Sequence, residues 1–220
     1  MNTQLPRKTV REGQSHKREL ILAAARDLFV QSGVDRTSMD AVAARASVSK
    51  RTVYDYYGDK HGLLLGVVEN AGESALATLR EATAQHLSDE LPIGTAQELE
   101  RALSQFAEAL GASLMTSSNY VAAVKLIAEN AAMLPELENH PLDVAHAEVI
   151  SERMAHFAGL GLLDVEDPRL AAEHFSVLTM LRILNEPAGR RGNPELVRRI
   201  MMDGVQVFMR AYAPRTSAAL

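Results

Sequence analysis

The chain has 220 residues, enough for one large domain or a small one joined to a medium one. Hydrophobic residues make up 47% of it, sufficient for a core, and the lack of cysteine excludes disulfides, thiolate metal sites and a cysteine nucleophile. The net charge of −5 is unevenly placed: residues 1–60 carry 11 Lys and Arg against 7 Asp and Glu, while residues 61–220 carry 12 against 21.

That division gives a basic head suited to a polyanion and an acidic body that is not. Met1 to Val10 is polar and basic without an apolar run, so no secretory signal is expected. No stretch reaches the run of roughly 18 apolar residues that a membrane span needs. A cytoplasmic protein with no membrane partner is the expectation.

Residues 1–14 lack hydrophobic periodicity and carry Arg7, Lys8 and Arg11. They are expected to be a disordered basic arm, either a plain tail or a minor-groove reader. From about Ser15, Ile21, Ala24, Ala25, Leu28 and Phe29 recur at spacings of three and four, the stripe of an amphipathic helix that Gly33 ends. Thr37 or Ser38 caps a short second helix over Met39–Arg45, with Met39, Val42 and Ala43 inward. Ala46-Ser47-Val48 makes a tight turn, and Ser47 or Ser49 caps a third helix through about Tyr54. Asp59 then caps a long fourth helix from Lys60 to about Gln85.

Further helices are expected at Ala96–Thr116, Tyr120–Ala131, Glu136–Gly159 with a break near Pro141, Pro168–Leu184 and Pro194–Tyr212. No segment alternates as a strand would. The fold class is therefore all-α: an N-terminal helix-turn-helix domain (15–60) joined by a long helix to a helical-bundle regulatory and dimerisation domain (61–213), with residues 214–220 frayed.

Three short helices with a turn of about three or four residues between the second and third form the helix-turn-helix pattern. Its third helix is too short to be stable alone and needs a core from the first two. Its outer face needs donors for phosphates and base edges. Ser49, Lys50, Arg51, Thr52 and Tyr54 supply hydroxyls, an ammonium and a guanidinium within two turns. Lys60 lies in the first turn of the next helix, where free N–H groups also favour an anion. Against this stands the plainer possibility of a helical hairpin whose Lys50 and Arg51 are merely solvated.

The ordered run Ile21-Leu22-Ala23-Ala24-Ala25, Leu28-Phe29, Gly33, Thr37-Ser38-Met39-Asp40, Val42-Ala43, Ala46-Ser47-Val48-Ser49-Lys50, Thr52-Val53-Tyr54, Tyr56-Tyr57 and Lys60 resembles the TetR family of bacterial regulators. The resemblance implies an all-α homodimer on a palindromic operator, repressing until a small ligand enters the C-terminal domain. Family DNA contacts would fall on Thr37 or Ser38, Ser49, Lys50, Thr52, Tyr54, Tyr56 and Lys60. Two positions depart from the family. Arg51 stands where Gly, Ala or Pro is common and reads either a guanine or a phosphate. Tyr57 replaces a commoner Phe. The stretches Leu126–Leu137, Gly161–Leu163 and Asp167–Phe175 loosely resemble the regulatory domains of some members.

In the body, Phe106, Met115, Met133, Met154, Phe157 and Phe175 are candidates for a ligand cavity, since Met suits apolar pockets of varied shape. Asn130, His156 and His174 are polar residues in apolar stretches and either orient a ligand or are satisfied internally. Glu148, Glu152 and His156 share a helical face by their spacing of four, but a solvated face or pocket lining is preferred to a metal site, and no metal or cofactor is expected. The last two helices carry apolar stripes. Of these, His174, Leu178, Leu181, Val205, Phe208 and Met209 are candidates for a dimer interface, with internal packing as the competing use.

The rival reading is a helical-bundle enzyme on an apolar substrate. It lacks a phosphate loop, a di-metal Glu-x-x-His pair and a nucleophile elbow, so no enzyme is expected. An activator would bind DNA through the same residues as a repressor.

Overall fold

The structure, a computed structural model, describes residues 7–138 and 140–214. Among these every regular element is helical, and no helix is long and apolar enough to cross a membrane. The chain divides into two compact units, residues 1–73 with 119–138 and residues 74–118 with 139–220.

The first unit opens on α1 (Arg7–Ser32), ended by Gly33, whose N–H donates to the Phe29 carbonyl at 2.9 Å and whose φ of +84° suits a residue without Cβ. The helix therefore begins well before Ser15. Arg7 to Gln14, expected to be disordered, continue α1, and the rest of the proposed arm lies outside the described residues. The Ser15 hydroxyl donates to the Glu19 carboxylate at 3.2 Å instead of capping, and the backbone bonds run past it N-terminally. Next come α2 (Met39–Arg45), α3 (Lys50–Tyr57) and the first half of α4 (Lys60–His86). Ser38, not Thr37, caps α2, and Ser49, not Ser47, caps α3. Their hydroxyl oxygens accept the N–H groups of Ala41 at 3.1 Å and Thr52 at 3.0 Å. Ser47 instead turns the chain with a left-handed φ of +54°.

The core of this unit is Ile21, Ala25, Phe29, Met39, Val42 and Val53, closed from below by Leu63, Leu64, Val67 and Val68 of α4. It also takes Leu126 of α6 (Ser118–Asn130) and Leu134 from the segment that follows. A domain boundary at residue 60 is thus too early. The apolar face of α4 continues the same core, and residues 119–138 return to it. Lys125 donates to the Val30 carbonyl at 3.2 Å, and Arg26 hydrogen-bonds Asn119. Two single 3-10 turns, Ala131–Met133 and Pro135–Leu137, replace the expected helix start at Glu136, because Pro135 and Pro141 lack the N–H groups that a continuous helix would use.

The second unit contains the end of α4, α5 (Ala96–Thr116), α7 (Pro141–Gly159), α8 (Pro168–Ser176), a π-helical turn Val177–Leu181 leading into α9 (Arg182–Leu184), the short α10 (Ala188–Arg191) and α11 (Pro194–Tyr212). The caps are legible in sequence: Thr95 for α5, Asp167 for α8 and Asn193 for α11. Phe106, Phe175 and Phe208 form its centre, the last two edge to face at 5.3 Å between ring centroids. Close approach explains two glycines. A Cβ at Gly111 would stand 2.6 Å from Met201 Cε, and one at Gly204 would stand 2.3 Å from the Leu178 carbonyl oxygen inside the π-helical turn.

Candidate nucleic-acid interface

In the first unit, capping fixes α3 so that Val53 is fully buried while Ser49, Lys50, Arg51, Tyr54 and Tyr56 are exposed. Ser38 is exposed at the start of α2, and Thr52 and Lys60 are partly exposed. The surface thus gathers eight of the nine residues proposed from sequence. The ninth does not join them. Thr37 is 5% exposed, and its hydroxyl donates inward to the carbonyl of Gly33 at 2.8 Å, so it closes the α1–α2 loop instead of offering a donor outward.

Several of these side chains are held before any ligand arrives. Thr52 Oγ1 is 2.7 Å from Ser49 Oγ, which ties it to the cap. Lys60 Nζ donates to the Asp35 carbonyl at 2.9 Å, bracing the α1–α2 loop. Lys50 Nζ pairs with Asp40 of α2 at 2.8 Å, and that hydrogen bond is the main reason its pKa is raised above the ordinary lysine value. Arg51 is the most open cation of the surface, its side chain 88% exposed and 3.7 Å from Asp55 one turn on. Tyr56 donates to the Gln14 carbonyl at 3.3 Å, bringing the early part of α1 to the edge of the α3 surface. Sequence reasoning named neither Asp40 nor Gln14 in this role. The i to i+10 distance between Asp40 and Lys50 has no helical periodicity to reveal it.

Beside this surface a cleft of about 480 Å³ is lined by Arg18, Tyr56, Tyr57, Gly62, Gly66 and Glu69. Tyr57 lies across α4, where a Cβ at Gly66 would come within 2.7 Å of its ring. Burial pushes its phenol pKa up, partly offset by the neighbouring Arg18 guanidinium, and its hydroxyl meets no hydrogen-bond geometry. The departure from Phe at this position keeps the packing and adds an unsatisfied oxygen.

The proposed cavity residues separate. Phe106, Met154, Phe157 and Phe175 are buried in the second unit, with Met115 and His156 partly exposed there. Asn130 and Met133 belong to the first unit, where the Asn130 amide donates to the Leu126 carbonyl at 2.8 Å and Met133 is 37% exposed. His156 faces Asp89 at 3.5 Å beside Arg153, while Glu148 and Glu152 are exposed. Of the proposed interface residues, Val205, Phe208 and Met209 are buried within their own unit. They pack inward in one stripe with Val197, Ile200, Met201 and Gly204, a pattern that an interface would share, so periodicity alone cannot choose between the two uses. His174 and Leu181 are exposed and Leu178 is half-buried, and Leu170, Val177 and Val207 are exposed as well.

A capped recognition helix, a hydrophobic three-helix core and a row of exposed donors define a helix-turn-helix DNA-binding protein. Residues 21–67 match the family of bacterial regulatory proteins of the TetR type, and residues 101–214 match the C-terminal domain of AefR-like transcriptional repressors. The chain belongs to the TetR family of transcriptional regulators. It is 32% identical over 69 residues, 31% of its length, to the transcriptional activator FasR of Mycolicibacterium smegmatis. Such matches span only about a third of the curated relatives, 27% to 33% of their lengths. Solved structures extend the likeness. A TetR-family regulator from Mesorhizobium loti is 25% identical with a TM-score of 0.73, covering 91% of this chain and 98% of that one. SmeT in complex with triclosan shares the fold, at 21% identity, a TM-score of 0.62 and 91% and 93% coverage.

Proposed function

We propose that the protein is a cytoplasmic homodimeric repressor that releases a palindromic operator when a small apolar molecule enters its second unit. The observation that carries the DNA side is the α3 surface: Ser49, Lys50, Arg51 and Tyr54 stand exposed on one helix whose start is fixed by a side-chain cap. Ser38, Tyr56 and Lys60 supply flanking phosphate donors. In this reading Arg51 reaches a base edge or phosphate most freely, because its side chain is the most open and Asp55 holds it only at 3.7 Å.

The effector reading is supported by the Phe- and Met-rich interior around Phe106, Met154, Phe157 and Phe175, and by the structural likeness to SmeT, solved with triclosan. The exposed apolar row Leu170, Val177, Leu181 and Val207 supports pairing through α8–α9 and α11. Binding of effector and operator would then oppose each other by their differing affinities for two states of the dimer. FasR is a transcriptional activator, and the reporter measurement below separates that sign of regulation from repression.

The experiment is selection from random-sequence duplexes, followed by binding to the selected site and to a scrambled control at several salt concentrations. The DNA-binding reading predicts a palindromic site whose binding weakens steeply with salt, and is lost in Lys50→Ala combined with Tyr54→Ala. A reporter under the selected site should fall in expression when the protein is present. Rising expression would replace repressor by activator, and absence of any selected site would overturn the reading.

A further inference from the structure

The reading surface carries one cation that is held in place by two groups, a carboxylate and an aromatic ring. Lys50 Nζ lies 2.8 Å from Asp40 Oδ1, 3.0 Å from Asp40 Oδ2 and 5.9 Å from the centroid of the Tyr54 ring. The pair remains open to water, with the two side chains 56% and 64% exposed. Ion pairs this exposed contribute little to folding, so stability is a poor account of why a carboxylate stands on a surface meant for an anion. Asp40 is also in the first turn of α2, where the helix dipole favours a negative charge.

We propose that Asp40 is a specificity-determining residue: it tethers the Lys50 ammonium and withholds it from phosphates of DNA bound in the wrong register. This rests on α3 being the DNA-reading helix. Non-specific binding is driven by phosphate neutralisation, and a free lysine strengthens it on any sequence. A tethered lysine supplies its contact only where docking brings a phosphate or base edge to the tether point. In any other register the Asp40 carboxylate meets the backbone and repels it, a discrimination made by a repulsive group. Arg51, held only at 3.7 Å by Asp55, has no such restraint.

The test compares full-length protein and Asp40→Asn on the selected operator and on a scrambled duplex of equal length, across a series of salt concentrations. Binding to the scrambled duplex should tighten roughly three- to tenfold, with a salt slope steeper by about one, while operator binding changes by less than about twofold. In a Lys50→Ala background the same substitution should tighten scrambled binding much less, because only the direct repulsion by the carboxylate is removed and no ammonium is freed. Asp40→Glu, which restores the charge, should return scrambled binding toward the wild-type level. Circular dichroism verifies folding, and Asp40→Ser, uncharged and compatible with a helix start, replaces Asn if that variant is unfolded. Equal tightening on both duplexes, no change on the scrambled one, or a gain that persists undiminished without Lys50 would each overturn the proposal. A wild-type protein that selects no sequence overturns the DNA-reading assignment as well; selective wild-type binding with an inert Asp40→Asn overturns this proposal alone.

Discussion

Asp27 of α1 holds Arg45, the last residue of α2, at 2.9 Å through one carboxylate oxygen and its neighbour Arg26 at 2.8 Å through the other. Arg26 in turn hydrogen-bonds Asn119 of α6, so a single line of polar contacts joins α2 to the segment that returns from later in the chain. The Arg45 and Arg26 guanidinium groups, in that order, hold the Asp27 pKa below the ordinary carboxylate value. A lowered folded-state pKa gives stability that is present above the unfolded value of 3.8 and is lost as pH falls through the folded one. Asp27→Asn should therefore cost up to about 1 kcal/mol near neutral pH, a modest figure because the carboxylate is 39% exposed. Urea unfolding at pH 7 and below pH 3 measures it. The gap between variant and wild type should close at the lower pH, and a constant gap would count against the ion pairs as its cause.

Ser47 turns the chain between α2 and α3 at a φ of +54°, where a side chain is unfavourable. Ser47→Gly should stabilise the protein by about 0.5–1 kcal/mol, the relief of that conformation less the added freedom of the unfolded chain. A rise in the urea midpoint with an unchanged m-value is the expected reading.

Tyr57 offers a related gain. Its hydroxyl is buried without a hydrogen bond, and removing such a group restores no lost partner. Tyr57→Phe should be neutral or stabilising by up to about 1 kcal/mol, whereas Gly66→Ala should destabilise, because the new methyl would stand 2.7 Å from the same ring. Thermal melts of the two variants should move in opposite directions, or Tyr57→Phe should stay level while Gly66→Ala falls.

Gly204 faces the π-helical turn so closely that a Cβ would sit 2.3 Å from the Leu178 carbonyl oxygen. Backbone cannot rotate aside as a side chain does, so Gly204→Ala should cost about 2–3 kcal/mol, at the upper end for overpacking. Urea unfolding measures the loss.

The two faces of α11 and its neighbours separate folding from pairing. Leu181 is 49% exposed and Val205 is fully buried. Leu181→Glu should shift the mass measured by light scattering toward the monomer with little loss of helix. Val205→Ala should lower stability by about 1–3 kcal/mol through a cavity and leave the mass unchanged. A monomeric wild-type protein would contradict the dimer reading outright.

Much of the first unit is legible in its sequence because local rules agree there. Ser38, Ser49 and Asp59 are capping residues followed by helix formers, Gly33 and Gly58 end helices at positive φ, and Val42 and Val53 fall inward by simple periodicity. Local rules fail where the partner is distant in the chain. Nothing near Leu126 or Leu134 indicates that they close the core of residues 21–68. Thr37 and Ser38 are equivalent capping candidates until the Gly33 carbonyl takes the Thr37 hydroxyl. Val205, Phe208 and Met209 have the same pattern whether they face the interior or a second subunit. The π-helical turn is equally silent, since the residue packed closely against it, Gly204, lies more than 20 positions away in the sequence.

That the first unit draws on residues 119–138 limits how such a protein can be recombined. Its reading head is not a cassette that one cut releases. A fragment ending at Lys60 would leave Ile21, Phe29 and Val42 facing water where Leu63, Leu64, Val67, Leu126 and Leu134 now cover them. A chimera joined within α4 to another regulator's body would receive that body's residues in place of Leu126 and Leu134. Grafting this head's operator preference elsewhere therefore requires transplanting two pieces of chain, the second of them taken from the part of the sequence that otherwise reads as regulatory domain.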